Sequence, residues 1–127
     1  MNLLLDTHVF LWWDQGGGTF SKPVHDAIAR PENNIFVSAV SVWEIAIKRR
    51  RGKLDFPESP SAAIGANGFQ ALPMLPEDAE WAGDLVWEHG DPFDRLLVAQ
   101  AMRLDMTLVT ADRSIRAFGG VAQLWGR

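Results

Sequence analysis

The chain has 127 residues, of which 47% are hydrophobic and 22% are charged, values typical of a globular protein with a buried core. It contains no cysteine, which excludes disulfides, a thiolate nucleophile and a cysteine-based zinc site. The formal net charge of −4 weighs against general nucleic-acid binding, although a compact basic run occupies residues 48–53. We expect one domain over residues 1–127.

Composition also limits the location of the protein and the kind of metal it binds. No apolar run approaches the roughly 20 residues of a membrane span, and no basic stretch precedes the first apolar residues. We therefore expect no membrane helix and no signal peptide, and a cytoplasmic protein. His8, His25 and His89 are far apart in sequence, so a histidine-rich metal site is not expected. Oxygen ligands would favour Mg²⁺ or Mn²⁺.

The first predicted strand is the apolar run Asn2 to Leu5, which ends at Asp6. Asp6 has two interpretations. It can be the N-cap of a helix over residues 8–15, or it can be a functional acid, because ligands bind at the carboxyl ends of strands in open α/β sheets. Gly16 to Gly18 then predict a mobile loop, and the absence of a following Lys-Ser or Lys-Thr excludes a P-loop.

A second helix is predicted from the cap Ser21 to about Arg30, and a second buried strand over residues 35–38. The next helix is predicted over residues 41–51. Ser41 and Glu44 have capping-box spacing, which competes with a functional role for Glu44 at the same sheet edge as Asp6. The basic run at the end of this helix either complements the helix dipole or contacts a nucleic-acid backbone.

The middle of the chain predicts a short helix within residues 53–68, a weak strand over residues 69–73 and a helix from Pro76 to about His89. Trp81 follows helical spacing on that last helix, which favours a core or interface position. A buried helix follows to Met102, with Asp91 as its N-cap. Asp94 lies in its first turn, where a buried carboxylate is costly unless it is paired or bound to metal.

The fourth strand is predicted over residues 107–110, and Asp112 follows it as Asp6 follows the first. A short helix over residues 114–118 and an edge strand over residues 121–125 complete the chain. Alternating strands and helices predict an α/β fold with a mostly parallel sheet and right-handed crossovers. All strands then end at one edge, where we expect four acids to meet: Asp6, Glu44, Asp94 and Asp112.

Clustered carboxylates repel one another and need a counter-charge, which one or two divalent cations supply. A metal held by oxygen ligands can activate water and clamp a phosphate. The four acids therefore predict metal-assisted hydrolysis of a phosphodiester, without a serine, cysteine or lysine nucleophile.

Four segments of the chain resemble the PIN-domain family, and within it the VapC-like ribonuclease toxins of toxin–antitoxin pairs. They are the stretches at residues 3–8, 38–46, 91–97 and 108–112, including Asp-Pro-Phe-Asp-Arg and Trp-Glu-Ile-Ala. The resemblance implies an α/β/α sandwich with a mostly parallel central sheet and Mg²⁺- or Mn²⁺-dependent cleavage of RNA. It also implies a small antitoxin protein as partner and a homodimer.

The resemblance assigns the site residue by residue. Asp6 and Asp94 match the principal metal ligands, and Glu44 and Asp112 would complete the site directly or through water. Asp91, Thr7 and Thr110 are further candidates, and His8 and Arg95 are their neighbours. With 6 Trp and 7 Phe in a small protein, we also expect some aromatic side chains to stay exposed in an apolar groove for a partner helix.

Two other functions remain open from the residues alone. A phosphatase would use Asp6 as a covalent nucleophile, but such enzymes usually carry a second Asp two positions later, where this chain has His8. A non-catalytic interaction module would use the acidic pocket only for binding. A phospho-accepting receiver would need a Lys near the fourth strand, and this chain has none close to residues 108–110. A degenerate nuclease that only binds partners would be expected to have lost an acid, whereas all four acids are present.

Overall fold

The computed structural model describes residues 1–16 and 20–125, and in these residues it contains five strands and seven helices. The strands are β1 Asn2–Leu5, β2 Asn34–Ser38, β3 Gln70–Leu72, β4 Thr107–Thr110 and β5 Gln123–Trp125. The helices are α1 Thr7–Gln15, α2 Lys22–Ala29, α3 Ala39–Arg50, α4 Pro60–Ala66, α5 Pro76–Asp84, α6 Pro92–Arg103 and α7 Arg113–Phe118.

All five strands pair in parallel, in the order β3-β2-β1-β4-β5, which confirms the predicted α/β class. The chain moves outward from β1 through β2 to β3 and then returns to place β4 on the other side of β1. The strand order therefore reverses between β1 and β4. In open α/β sheets this reversal leaves a crevice outside the carboxyl ends of the two strands, and ligands bind there.

Helices cover both faces of the sheet, so the predicted three-layer sandwich is also confirmed. Successive side chains of a strand point to opposite faces. Leu3 and Leu5 accordingly pack in one core with α1, α2, α3 and α4, whereas Leu4 packs in a second core with α6 and α7. All three leucines are fully buried, which explains why β1 is a continuous apolar run.

The start of α3 differs from the prediction, and the proposed capping box of Ser41 and Glu44 is wrong. The helix begins at Ala39, and the side chain of Ser38 accepts a hydrogen bond from the Val40 N–H at 3.0 Å. Ser41 is buried inside the first turn, and Glu44 lies in the second turn. Ser38 can act as the cap because β2 runs directly into the helix with no intervening loop.

Helix α5 ends at Asp84, about five residues before the predicted end at His89. The Arg95 guanidinium explains this early stop, because it donates hydrogen bonds to the backbone carbonyls of Ala82, Leu85 and Trp87, with donor–acceptor distances of 2.5–3.0 Å. It also donates to the carbonyl of His89 at 3.2 Å. Carbonyls held by this planar fork favour an extended segment over another helical turn.

Three smaller observations complete the fold. Gly16 ends α1 in the left-handed conformation, with φ of 67°, whereas Gly17 and Gly18 of the predicted loop lie outside the described residues. Trp81 is 43% exposed, so it is not a core residue, and its interface role stays a prediction. Within the described residues, each helix is too short or too polar to cross a lipid bilayer.

Candidate active site

Asp6 fulfils both of its predicted placements. It is the N-cap of α1, where its Oδ1 accepts from the Val9 N–H at 2.8 Å, and it lies directly after β1 at the reversal of strand order. Its Oδ2 accepts from Thr110 Oγ1 at 2.5 Å, and only 4% of the residue is exposed. Burial raises the pKa of Asp6 above its ordinary value, although the bonds from Thr110 and Val9 oppose this shift.

Thr110 links the ends of β1 and β4. Its hydroxyl donates to Asp6 and accepts from the Asp112 N–H at 3.0 Å. Asp112 is the N-cap of α7, and its Oδ1 accepts from the N–H groups of Ser114 at 2.8 Å and Ile115 at 3.1 Å. One hydroxyl therefore fixes the position of Asp112 relative to Asp6.

Glu44 reaches the same region from α3 and is 7% exposed. Its Oε1 accepts from Thr7 Oγ1 at 2.6 Å, and its Oε2 pairs with Lys48 Nζ at 2.9 Å, one helical turn away. Thr7 Oγ1 also lies 2.9 Å from Ser41 Oγ. Because a hydroxyl has one proton and a carboxylate is the stronger acceptor, Thr7 donates that proton to Glu44.

Asp94 lies in the first turn of α6, as predicted, and its side chain is 18% exposed. Its Oδ2 is 2.7 Å from Nε2 of His89. Burial raises the pKa of Asp94 to about 6; the charges of Asp91 and Asp112 add to this, whereas His89 opposes it. The negative charge of Asp112, after β4, therefore acts on Asp94 at the start of α6.

Asp91 is the N-cap of α6, which confirms its structural interpretation. Its Oδ1 accepts from the N–H groups of Phe93 at 2.9 Å and Asp94 at 3.1 Å. Among the described residues, the one group of three candidate ligands whose atoms lie within 4.8 Å of one another is His89, Asp91 and Asp94. Asp6, Glu44 and Asp112 do not join that group at this distance, and their role as ligands stays a prediction.

His89 was missed in the sequence analysis, which considered the histidines only as a set. Its position five residues before Asp94, across the Asp91-Pro92 helix start, was the available signal.

Arg95, which the sequence analysis named only as a neighbour of the site, fixes the backbone that precedes α6. Its hydrogen bonds to the carbonyls of Trp87 and His89 hold the segment that brings His89 to Asp94.

The donor set at this edge suits a hard divalent cation. Asp6 is buried and Asp94 is half-buried, and the pKa of each carboxyl is raised, so each lacks a counter-charge that compensates fully for its loss of solvent. A divalent cation would supply that charge, and carboxylate oxygens are the ligands that Mg²⁺ and Mn²⁺ prefer. His89 adds one nitrogen to the possible donors beside Asp91 and Asp94.

The three-layer fold and the acids at the sheet edge define a class of protein that comparison identifies. The family description that matches the chain is the PIN domain, over residues 3–121. The chain belongs to the PIN-domain family. The resemblance expected from its motifs is therefore confirmed.

Within the family, the chain is similar to Ribonuclease VapC22 of Mycobacterium tuberculosis. The two are 31% identical over 118 residues, which cover 91% of this chain and 90% of the relative. This similarity confirms the VapC-like resemblance read from the motifs.

Two solved structures share the fold. VapBC2 from Rickettsia felis, determined bound to a DNA fragment from their promoter, contains a chain with a TM-score of 0.71 and 15% identity, over 98% of each chain. VapBC-1 from nontypeable Haemophilus influenzae matches with a TM-score of 0.70 and 16% identity, over 98% of this chain and 97% of that chain.

Proposed function

We propose that this chain is an endoribonuclease that depends on Mg²⁺ or Mn²⁺ and acts as the toxin of a toxin–antitoxin pair. The observation that carries the proposal is the position of Asp6, between β1 and β4, hydrogen-bonded through Thr110 to the segment that bears Asp112. Membership of the PIN-domain family and similarity to Ribonuclease VapC22 support it.

In this proposal Asp6 and Asp94 hold the metal, and Glu44 and Asp112 complete the site directly or through water. When bound, the metal would polarise a phosphodiester and supply an activated water. The protein contributes fixed carboxylates: Asp6 is oriented by Val9 and Thr110, and Glu44 is oriented by Thr7 and Lys48. Fixed ligands need little reorganisation when substrate arrives, which favours catalysis.

The basic side chains of residues 48–53 fall into two groups, those that bond within the protein and those that are exposed. Lys48 pairs with Glu44, and Arg49 donates to the carbonyls of Phe56 and Glu58, so both take part in intramolecular bonds. Arg50, Arg51 and Lys53 are exposed. We assign these three to contact with the RNA backbone, which compensates locally for the net charge of −4.

A protein antitoxin and a second copy of the chain are the proposed macromolecular partners, and the proposed location is the cytoplasm, where RNA is available. Apolar side chains remain exposed, as expected: Trp43 is 54% exposed and Val86 is 97% exposed. A depression of about 420 Å³ near the end of α5 is lined by Trp81, Asp84, Leu85, Val86, Met102 and Phe118. An apolar depression of this kind suits a partner helix.

The decisive experiment maps new 5′ ends in total cellular RNA after incubation with the purified, antitoxin-free chain. Reactions contain Mn²⁺, Mg²⁺ or a chelator, and Asp94→Asn runs in parallel with the surface control Asp26→Asn. Asp26 is an exposed residue paired with Lys22, remote in sequence from the site acids. New ends that require both a metal and Asp94, but not Asp26, would establish the activity and name the substrate.

Two results would contradict the proposal. One is the absence of new ends from folded protein with either metal, which would turn attention to phosphatase activity through Asp6 or to a binding role. The other is cleavage that persists in chelator or in Asp94→Asn, because such cleavage would come from a contaminant or from another site.

A further inference from the structure

A cavity of about 540 Å³ opens beside Asp112, at the carboxyl edge of the sheet. Its described lining consists of His8, Trp12, Ala111, Asp112, Arg113, Ser114 and Trp125. The volume falls in the range of roughly 300–1,000 Å³ found for ligand pockets. Because Asp112 belongs both to this wall and to the acidic site, a molecule in the cavity would lie next to the proposed metal-binding carboxylates.

Two half-buried indoles, those of Trp12 and Trp125, give the cavity its chemical character. The Arg116 guanidinium carbon lies 4.5 Å from the ring centroid of Trp125, a cation–π contact that steadies this indole. Trp12 is in turn neighboured by His8, with ring centroids 6.1 Å apart. Single-stranded nucleic acids bind to such surfaces by stacking their bases on aromatic side chains.

The polar groups of the cavity argue against a free anion as its ligand. The N–H groups of Ser114 and Ile115 already donate to Asp112 Oδ1, so they are committed within the protein. A free phosphate would also meet the Asp112 carboxylate. A flat, neutral aromatic group avoids this repulsion, and the exposed Arg113 at the rim can attract the phosphate backbone to which such a group is attached.

We propose that this cavity is a nucleobase subsite, in which Trp12 and Trp125 stack a base of single-stranded RNA beside the phosphodiester bond that is cleaved. The inference rests on the proposed ribonuclease function and adds where the substrate is held. The subsite binds the π-face of a base, which every base has. It therefore contributes affinity and positions the RNA strand, whereas sequence specificity comes from contacts elsewhere.

The test compares two five-nucleotide RNA probes that carry the same phosphates. One is oligoadenylate, and the other is its fully abasic counterpart. Affinities are measured in chelator by fluorescence anisotropy, so the result does not depend on catalysis. Wild-type protein should bind oligoadenylate at least about fivefold more tightly than the abasic probe, because stacking on an aromatic side chain contributes about that factor or more for each base.

Variants locate the base discrimination. Trp125→Ala should reduce the ratio of the two affinities towards one, and Trp12→Phe, which keeps a smaller ring, should reduce it partly. Trp81→Ala is the matched control, since Trp81 is an exposed indole that lines a different depression. The ratio is the readout because partial misfolding lowers both affinities equally. A wild-type ratio near one, or a ratio unchanged in Trp125→Ala and Trp12→Phe, overturns the subsite and leaves the cavity to a protein side chain.

Failure of the proposed function is recognised separately. Wild-type protein is assayed with Mn²⁺ on bis(p-nitrophenyl) phosphate and on RNA. If neither is hydrolysed while base discrimination in chelator persists, the nuclease proposal fails and a nucleobase-binding cavity remains. If hydrolysis occurs without base discrimination, the nuclease proposal stands and the subsite is overturned.

Discussion

Nε2 of His89 lies 2.7 Å from Oδ2 of Asp94, across the helix start that Asp91 caps. This contact places an imidazole beside the carboxylate that the family resemblance assigns as a principal metal ligand. The imidazole partly offsets the cost of burying Asp94, whose pKa is nevertheless raised to about 6. Metal binding at this position therefore competes with a proton and with His89 for the same oxygen.

If the proposed function is correct, Asp94→Asn should reduce RNA cleavage by at least about 100-fold, because it removes the charge of a proposed metal ligand. The same change should stabilise the metal-free protein at pH 7.5, on the order of 1 kcal/mol once solvent access to the carboxyl is allowed for. Circular dichroism during urea unfolding measures the second effect. Asp26→Asn is the control, and a destabilised Asp94→Asn protein would contradict the account of a poorly compensated carboxylate.

Mn²⁺ affinity should rise with pH up to about 6 and then level off. Asp94 is mostly protonated below its pKa of about 6, and a proton must leave before the metal binds, so affinity falls by up to about tenfold per pH unit below that value. Isothermal titration calorimetry in buffers of different ionisation enthalpy would detect the released proton. A flat profile between pH 5 and 7 would show that Asp94 is not a ligand.

The same raised pKa predicts how stability changes with pH when no metal is present. The folded state binds the Asp94 proton more tightly than the unfolded state, so this residue favours folding below its ordinary pKa of 3.8. That contribution is lost as pH rises towards about 6. Asp94→Asn should remove this loss, and urea titrations of both proteins at pH 4.5 and pH 7 would measure the difference.

Arg95→Lys should cost at least about 2 kcal/mol of stability and should weaken metal binding. Lysine has three donors and no planar fork, so it cannot hold the four carbonyls that Arg95 contacts. His89 would then lose its fixed position. Thermal unfolding and Mn²⁺ titration measure the two effects, and the exposed Arg51→Lys is the control. Wild-type Mn²⁺ affinity in folded Arg95→Lys would contradict this positioning role.

Asp78→Ala should destabilise the fold by about 1–3 kcal/mol, because it leaves the buried Gln100 and the half-buried Arg103 without their hydrogen-bond acceptor. Asp78 is fully buried and accepts from Arg103 Nε at 2.6 Å and from Gln100 Nε2 at 3.1 Å. Burial alone would raise the pKa of Asp78, but the hydrogen bonds from Arg103, Leu75 and Gln100 lower it by more than burial raises it.

Because its pKa is lowered in the folded state, the Asp78 carboxylate stabilises the fold above its ordinary pKa of 3.8, and this contribution is lost in stronger acid. Acid-unfolding curves of wild type and Asp78→Asn would reveal that loss.

Much of this protein is determined by local sequence patterns. The apolar runs ending at Leu5 and Thr110 specify strands, and the acids that follow them must lie at one edge once the strands are parallel. The N-cap positions of Asp6, Asp91 and Asp112 follow from the short range of the side-chain-to-backbone bond, which spans only two or three residues. Such features depend on neighbours in the chain, so they can be predicted from it.

Tertiary structure decided the features that depend on distant partners. The bond from Thr110 to Asp6 joins residues 104 positions apart, and the bond from Thr7 to Glu44 joins residues 37 positions apart. The end of α5 and the position of His89 are set by Arg95, which lies outside that helix. A buried carbonyl or carboxylate must find a partner wherever the fold brings one. Helical periodicity carries no information about that partner, so the sequence places Asp6 and Asp112 after their strands but does not show the hydrogen bonds that hold them.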